Sequence, residues 1–343
     1  MLVSGAALFK AAKAGKFGIG GFNINNLENV QAIVAAAAEV NAPVIFQASK
    51  GAIAYSDIRY LSSMMTACSE LHPEIPIALH LDHGNIATCN LILDKYEALV
   101  NAGVSLDDAV KEVGFTSLMI DLSHEDLEVN ISETKKIVDR AHLYGISVEA
   151  EIGVLAGVEE DVTAEKSNYT DPVEAVRICT ESNLDALAIS CGTEHGAYKS
   201  IAGNKDGLQY DLIQEISNVT NKPLVLHGAS SVPPELVKLC NDHGADLKNA
   251  GGTPMEGIVE AVTRGIAKIN VDSDFRLGVC GTIRKYMAEH PAVFDPRKFL
   301  GAARDFQKEL VKEKMIAFGQ AGKICPEMFV TLSQQAEIYA NEQ

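Results

Sequence analysis

Eight short apolar runs recur along the chain, separated by stretches with helical spacing. They are GIGGFNIN (18–25), PVIFQAS (43–49), IPIALHLDH (75–83), SLMIDLS (117–123), SVEAEIG (147–153), ALAISCG (186–192), PLVLHGA (223–229) and AKINVD (267–272). Each is rich in Val, Ile and Leu and ends in polar or glycine residues, as strands buried on both faces of a parallel sheet do. Between them lie segments such as NLENVQAIVAAAAEV and PPELVKLCNDHG, the latter with proline at its start and glycine at its stop. Strand–helix alternation repeated eight times predicts an α/β fold, a closed (β/α)8 TIM barrel with additional C-terminal helices. A doubly wound sheet is the alternative, but it wants a glycine-rich phosphate loop after its first strand, where this chain has GFNINN. Residues 86–113 read as two helical pieces joined near Asn101-Ala102-Gly103. The chain is expected to be one catalytic domain, with the barrel over about 1–275 and a helical extension over about 276–343. EHPAVFDPRKFLG forms an irregular link within that extension, whose helices pack on the barrel or on a second subunit.

Composition narrows the classes. The 343 residues exceed the usual prior of ~150 per domain, but α/β barrels of ~250 residues or more fold as one unit. Hydrophobic residues make up 47% and aromatics 6%, with no Trp, which suits a barrel core of small and branched aliphatics. No uninterrupted apolar stretch reaches the ~18 residues of a membrane span. The opening MLVSGAALFKAAKAGKFG is broken by Lys10, Lys13 and Lys16, which fits an amphipathic helix better than a secretory signal. Seven scattered cysteines without a C-x-x-C pair point to a reducing cytoplasm. A net charge of −17 argues against nucleic acid and anionic membranes as partners. Any phosphate must then be held locally, by backbone N–H groups and a few cations.

In such a barrel the active site lies at the C-terminal ends of the strands, and polar residues gather there. The runs end in Asn23, Ser49, Asp82-His83, Asp121 with Ser123, Glu149 and Glu151, Gly192-Thr193-Glu194-His195-Gly196, His227-Gly228-Ala229-Ser230, and Asn270, Asp272 and Ser273. His83, His195 and His227 therefore converge on one rim. Three imidazoles with an open position are the arrangement of a catalytic zinc. The other histidines (His72, His80, His124, His142, His243, His290) read as structural, with His80 aligned with Asp82 as a support for the ligands. Asp82 is suited to proton transfer, or else to accepting an imidazole N–H. Glu149 and Glu151 face the same way and need a cation, a lysine or a metal. The VEED run (158–161) is either a solvated acidic loop or a mobile lid carrying a catalytic glutamate. Gly196, Gly228 and Ser230 would let backbone amides approach an anion, Asn270 and Ser273 add donors, and Lys199, Arg276 and Arg297 are candidate cations.

The segments IALHLDHG (77–84), GFTSLMIDLSHE (114–125), VEAEIGVLAGVEE (148–160), GTEHGAYK (192–199), LVLHGASSVP (224–233), INVDSDFR (269–276) and FDPRKFLG (294–301) resemble, in order, the signature blocks of class II fructose-bisphosphate aldolases. Glu194, where a small residue is common, Cys191, and a longer connection from His83 to Gly114 depart from that pattern. The resemblance implies a glycolytic and gluconeogenic lyase that cleaves fructose 1,6-bisphosphate reversibly to dihydroxyacetone phosphate and glyceraldehyde 3-phosphate through a zinc-stabilised enediolate. It makes His83, His195 and His227 the Zn2+ ligands, with Asp121 and Glu151 at an alternative inner position for a second divalent or monovalent cation. Asp82 and Glu159 become the acid–base residues. Gly196, Lys199, Gly228, Ser230, Asn270, Asp272 and Ser273 hold the dihydroxyacetone phosphate part, and Asn23, Ser49 and Arg276 the rest of the sugar bisphosphate. Asp295 and Arg297 would reach in from a neighbouring subunit of a homodimer or homotetramer. The rival readings are an aldolase for tagatose bisphosphate or another ketose bisphosphate, a Schiff-base aldolase with Lys50 as its nearest lysine, a metallohydrolase, and a sugar-phosphate-binding scaffold.

Overall fold

The computed structural model describes residues 1–159, 162–164, 168–196 and 207–342, with the backbone alone at 156–159, 162–164 and 195. Its strands are β1 (Ile19–Asn23), β2 (Val44–Ser49), β3 (Ile77–Gly84), β4 (Ser117–Ile120), β5 (Ser147–Ile152), β6 (Ala156–Glu159), β7 (Val162–Ala164), β8 (Ala186–Ile189), β9 (Glu194–His195), β10 (Leu224–Leu226) and β11 (Ile266–Val271). Eight of them close a barrel in the order β1-β11-β10-β8-β5-β4-β3-β2, every neighbour parallel. Each of the eight barrel strands falls on one of the eight apolar runs, most of them trimmed at the ends, while β3 and β11 reach one residue beyond theirs at Gly84 and Ile266. Almost every strand residue is buried, because helices cover the outer face and side chains fill the inner one.

The two faces have separate cores. Outside, aliphatics such as Ile33, Val44, Leu79, Val148, Ile178 and Leu226 join strands to helices. Inside, Ile19, Ile45, Ala78, Ala188 and Val225 pack on Leu8, Phe9 and Ala12 of helix Gly5–Gly15. That helix is the amphipathic opening segment, and it plugs the N-terminal mouth of the barrel. Gly5 is required there, since a Cβ would sit 2.5 Å from the Ser147 hydroxyl. Among the described residues the barrel is thus filled at the bottom, and its C-terminal rim is the end placed to hold a ligand.

The long connection after β3 is two helices, Ile86–Asn101 and Leu106–Val113, joined across Ala102 and Gly103 as its pattern predicts. The extension forms helices Ser273–Glu289, Pro296–Ala317 and Leu332–Glu342 with a short turn at Pro326–Met328. Helix Pro296–Ala317 packs on helices Leu27–Val40 and Ser273–Glu289. Buried Gln320, just beyond it, accepts from Gly20 N and donates to Pro43 O, which ties the extension to the strands.

Three expectations are corrected. The FDPRKFLG segment is not wholly irregular: Asp295 caps a helix that begins at Pro296, where proline's missing N–H costs nothing. Asp121 and Ser123 do not lie on a strand, because β4 stops at Ile120 and Asp121 follows it, its N–H bonded to Gly84 O. The stretch after β5 is not a plain loop. β6 pairs antiparallel with β7 and parallel with β9, so Glu159 and His195 belong to a small sheet at the rim. Strands of two to four residues are too short to leave a hydrophobic period in the sequence.

Candidate active site

Strand β3 delivers the first two functional side chains by breaking its own regularity. Its pairing with β4 shifts between Leu81 and Gly84, and His83 adopts φ 47°, a left-handed backbone that a non-glycine residue seldom takes. The kink lets Asp82 and His83, adjacent in sequence, both serve the rim instead of pointing to opposite faces.

His83 and His227 meet ring edge to ring face, with centroids 4.6 Å apart. His83 Nδ1 lies 2.8 Å from Asp121 Oδ2, and His227 Nε2 lies 2.8 Å from Glu149 Oε1. A carboxylate opposite each of those nitrogens places the ring proton there. The remaining nitrogens, His83 Nε2 and His227 Nδ1, then point lone pairs at each other across 2.9 Å. Asn270 Nδ2 donates to the same His227 Nδ1 at 3.1 Å, consistent with that tautomer. In this tautomer the two facing nitrogens suit a positive centre shared between them. Burial lowers the His227 pKa, which disfavours a proton as that centre. A cation bound by neutral imidazoles fits, and two ligands of one tetrahedral zinc stand roughly 3.3 Å apart, so the rings need open by only a few tenths of an ångström.

Two donor groups share His83. Asp82, His83 and His227 place ligand atoms within 4.8 Å of one another, and so do His83, Asp121 and Glu151. Of the residues expected at an active position and at an inner one, those described lie close to one another. The His195 backbone lies on β9, beside the rim, and its side chain is outside the described atoms. Asp121 is tuned as a support: burial alone would raise its pKa, but hydrogen bonds from His83 and from the Ser123 N–H and hydroxyl outweigh this and hold it well below the carboxylate range.

Asp82, 2% exposed, is gripped by two amides. Asn23 Nδ2 donates to Oδ2 at 2.9 Å and Asn270 Nδ2 to Oδ1 at 3.0 Å. Gln47 Nε2 in turn donates to Asn23 Oδ1 at 2.9 Å, which fixes which end of that amide faces Asp82. Asn23 and Asn270, expected as substrate contacts, position Asp82 here. Gln47, polar in the middle of an apolar run, was passed over.

Beneath the rim runs a buried polar chain. Lys268 Nζ lies 2.8 Å from Glu149 Oε2 and 3.2 Å from His80 Nε2. His80 Nδ1 meets the Ser117 hydroxyl at 2.8 Å, and Ser147 Oγ donates to Ser117 Oγ at 2.8 Å. Lys268, Glu149 and His80 have no exposure at all. The cation that Glu149 needed is thus a lysine. Burial would raise Glu149, but Lys268 and the His227 hydrogen bond pull it well down, so it is a charged acceptor for the ligand imidazole. Lys268 carries its signal in the sequence, as a lysine inside an apolar strand.

The phosphate candidates line the turn after β10 and the start of helix Ser273–Glu289. Gly228 (φ 61°) passes so close to Glu194 that a Cβ would lie 2.5 Å from its carbonyl oxygen. Ser230 Oγ accepts from the N–H groups of Asp272 and Ser273 at 3.3 and 3.2 Å. Amides at a helix N-terminus can bind an anion, and here both are bonded to the Ser230 hydroxyl. Ser49 and Arg276 line one cavity of about 390 Å³ together with Asn25, Asn26 and Tyr55, and Arg276 pairs with Asp272 at 2.6 Å. Asn25 and Tyr55 were not singled out from sequence. Gly196 ends the rim segment with φ 83°. Lys199 lies outside the described residues, as do Glu160 and Asp161, and the Glu159 side chain is outside the described atoms. Asp295 and Arg297 pair with each other at the exposed start of their helix, 2.8 Å apart.

A Schiff-base mechanism needs an accessible lysine at the strand ends. Lys50 opens helix Lys50–Ser56, and Lys268 is sealed beneath the histidines. Burial pushes the Cys191 thiol up to about 12, so it offers no thiolate nucleophile. A solid parallel barrel, paired histidines with carboxylate supports and a gripped aspartate define a metal-type lyase or hydrolase of barrel architecture.

Comparison with known proteins narrows this further. The family model described as "Fructose-bisphosphate aldolase class-II" matches residues 3–323. The fructose-bisphosphate aldolase of Giardia intestinalis is 42% identical over 96% of this chain and 96% of its own length. That of Thermus caldophilus is 42% identical over 94% of this chain and all of its own. Among solved structures, the YdjI aldolase from Escherichia coli K12 is 28% identical with a TM-score of 0.69, covering 94% of this chain and 99% of that one. The chain belongs to the class II fructose-bisphosphate aldolase family, whose members are metal-dependent lyases.

Proposed function

We propose that this protein cleaves fructose 1,6-bisphosphate to dihydroxyacetone phosphate and glyceraldehyde 3-phosphate, reversibly, with His83, His195 and His227 holding a catalytic Zn2+. The observation that carries the reading is the pair of facing imidazole lone pairs, each backed by a carboxylate, beside the doubly gripped Asp82. When bound, the cation supplies Lewis-acid polarisation of the ketose carbonyl. Asp82 takes the proton of the C4 hydroxyl as the C3–C4 bond breaks and that oxygen becomes the aldehyde carbonyl. Its fixed orientation matters because a general base must reach its proton without searching. Glu159 exchanges the proton at C3. Gly196, Lys199, Gly228, Ser230, Asn270, Asp272 and Ser273 bind the dihydroxyacetone phosphate end, and Asn23, Ser49 and Arg276 the remainder. Asp121 and Glu151 with His83 provide the inner position for a second cation.

The whole of 1–343 acts as one catalytic unit in this reading, working in the cytoplasm as a homodimer or homotetramer. No helix among the described residues is long and apolar enough to cross a membrane. Asp295 and Arg297, paired with each other at the start of their helix and with Arg297 exposed, complete a neighbour's site. The test is cleavage of fructose and of tagatose 1,6-bisphosphate by the purified protein. A kcat/KM at least tenfold higher for fructose is expected; preference for tagatose would move the substrate, and turnover of neither would overturn the assignment.

A further inference from the structure

We propose that Lys314, in helix Pro296–Ala317 of the extension, is a positioning residue for the turn that holds the substrate phosphate. The proposal rests on the assignment of Gly228 and Ser230 to that phosphate. Lys314 is 2% exposed, although its helix is rich in solvated charges. Its Nζ lies 2.5 Å from Asp274 Oδ2 and 3.1 Å from Ser231 Oγ. Asp274, with no exposure, spends its carboxylate on the same turn. Oδ2 accepts from Ser231 N at 3.1 Å and from Ser231 Oγ at 3.0 Å, and Oδ1 accepts from Val232 N at 2.6 Å. The Ser231 hydroxyl therefore donates to the carboxylate and accepts from the ammonium, which closes a three-membered clamp.

The clamp holds a conformation that the turn would not choose. Val232 has φ 42°, a left-handed backbone for a β-branched residue, which persists only where surroundings over-determine it. The residue before Ser231 is tied to the same framework: Thr253 N donates to Ser230 O at 3.1 Å, and the Ser230 hydroxyl accepts from the amides of Asp272 and Ser273. Asp274 sits one residue beyond those amides, at the start of the helix that supplies them. One buried carboxylate thus fixes the turn and the helix N-terminus relative to each other, and Lys314 keeps it charged and in place. Lys314 lines a different cavity, about 460 Å³, with Pro233, Glu235, Met255 and Glu313, sharing no residue with the cavity of Ser49 and Arg276. It acts through Asp274 and not on substrate.

Without the ammonium, the uncompensated Asp274 turns toward water, the Val232 strain relaxes, and the turn's amides lose their alignment on the phosphate. Misplacement of binding groups by about 1 Å costs up to ~10²-fold. The experiment measures inhibition of the metal-loaded enzyme by dihydroxyacetone phosphate and by dihydroxyacetone, which lacks the phosphate. Lys314→Met is expected to weaken dihydroxyacetone phosphate at least tenfold and to raise KM for the bisphosphate, with dihydroxyacetone inhibition and metal content unchanged. If that variant does not fold, Asp274→Asn/Lys314→Met, which removes both buried charges, is read in the same way with the same expectation. Dihydroxyacetone phosphate affinity within twofold of wild type, or equal weakening of both inhibitors, would overturn the proposal. Gly228→Ala separates the two layers: if it abolishes phosphate discrimination and Lys314→Met does not, the clamp alone is wrong. If neither does, the phosphate assignment falls and the clamp with it.

Discussion

Replacing Lys268 by methionine keeps the length of the side chain and removes the ammonium from the bottom of the site. Glu149 is then left charged and fully buried, with the His227 Nε2–H as a donor at 2.8 Å and His80 3.5 Å away. Breaking a buried pair by deleting one partner typically costs about 3–5 kcal/mol, because the surviving charge keeps its desolvation penalty. The Lys268–Glu149 contact of 2.8 Å, with no exposure on either side, belongs at that end of the range and not with surface pairs. Adding Glu149→Gln removes the stranded charge, so the double variant should recover more than about half of the loss. Equilibrium unfolding of the chelator-treated protein in urea measures both, and the midpoint with its slope separates stability from compactness. A second consequence follows at the rim. Glu149 orients His227, and disturbing such a carboxylate support lowers metal affinity by about 10–100-fold. A single variant that loses less than about 1 kcal/mol, or a double variant no better than the single, would refute this account of the buried chain.

Asp82→Ala should keep bound metal and fold while kcat falls about 10²–10⁴-fold; turnover within twofold of wild type would leave Asp82 as a mere hydrogen-bond acceptor. Below pH about 6.5 the metal-stripped protein should lose stability as the pH falls. Burial, then the nearby Lys268, holds His80 well below its ordinary pKa, so the unfolded chain takes up a proton that the folded one refuses. The slope reaches about 1.4 kcal/mol per pH unit for each such histidine, and His80→Gln should flatten it in urea unfolding at pH 5 to 7. An unchanged slope in that variant would remove His80 from the explanation. Mixing Asp82→Ala with Arg297→Ala under subunit exchange should restore activity if Arg297 serves a neighbour's site; no recovery despite demonstrated exchange would make the start of its helix purely structural.

The barrel was legible because strands buried on both faces leave unbroken aliphatic runs, and eight of them alternating with helices admit few topologies. His83, His227 and Asp82 were legible for a related reason: a charged or imidazole residue at the end of such a run has no structural purpose that a core would supply. What stayed hidden depends on contacts between distant segments. Glu149 announced a need for a cation, but nothing local said that Lys268, 119 residues later, would meet it. Asn270 looked like one more donor for phosphate, and only barrel closure brings its amide onto Asp82 and His227. Lys314 is one lysine among several on a 22-residue amphipathic helix, distinguished only by the face that packs toward Asp274. The small sheet of β6, β7 and β9 is too short to show a period.

The central claim is that the facing nitrogens of His83 and His227 bind the cation on which cleavage depends. Stripping the purified protein with a chelator and titrating Zn2+ back, while following bound metal and fructose 1,6-bisphosphate cleavage in one series, tests it most directly. Negligible turnover is expected without metal, with recovery in step with zinc bound, and neither binding nor recovery at that position in His227→Ala. Full turnover by the stripped protein, or wild-type zinc-dependent recovery in His227→Ala, would contradict it.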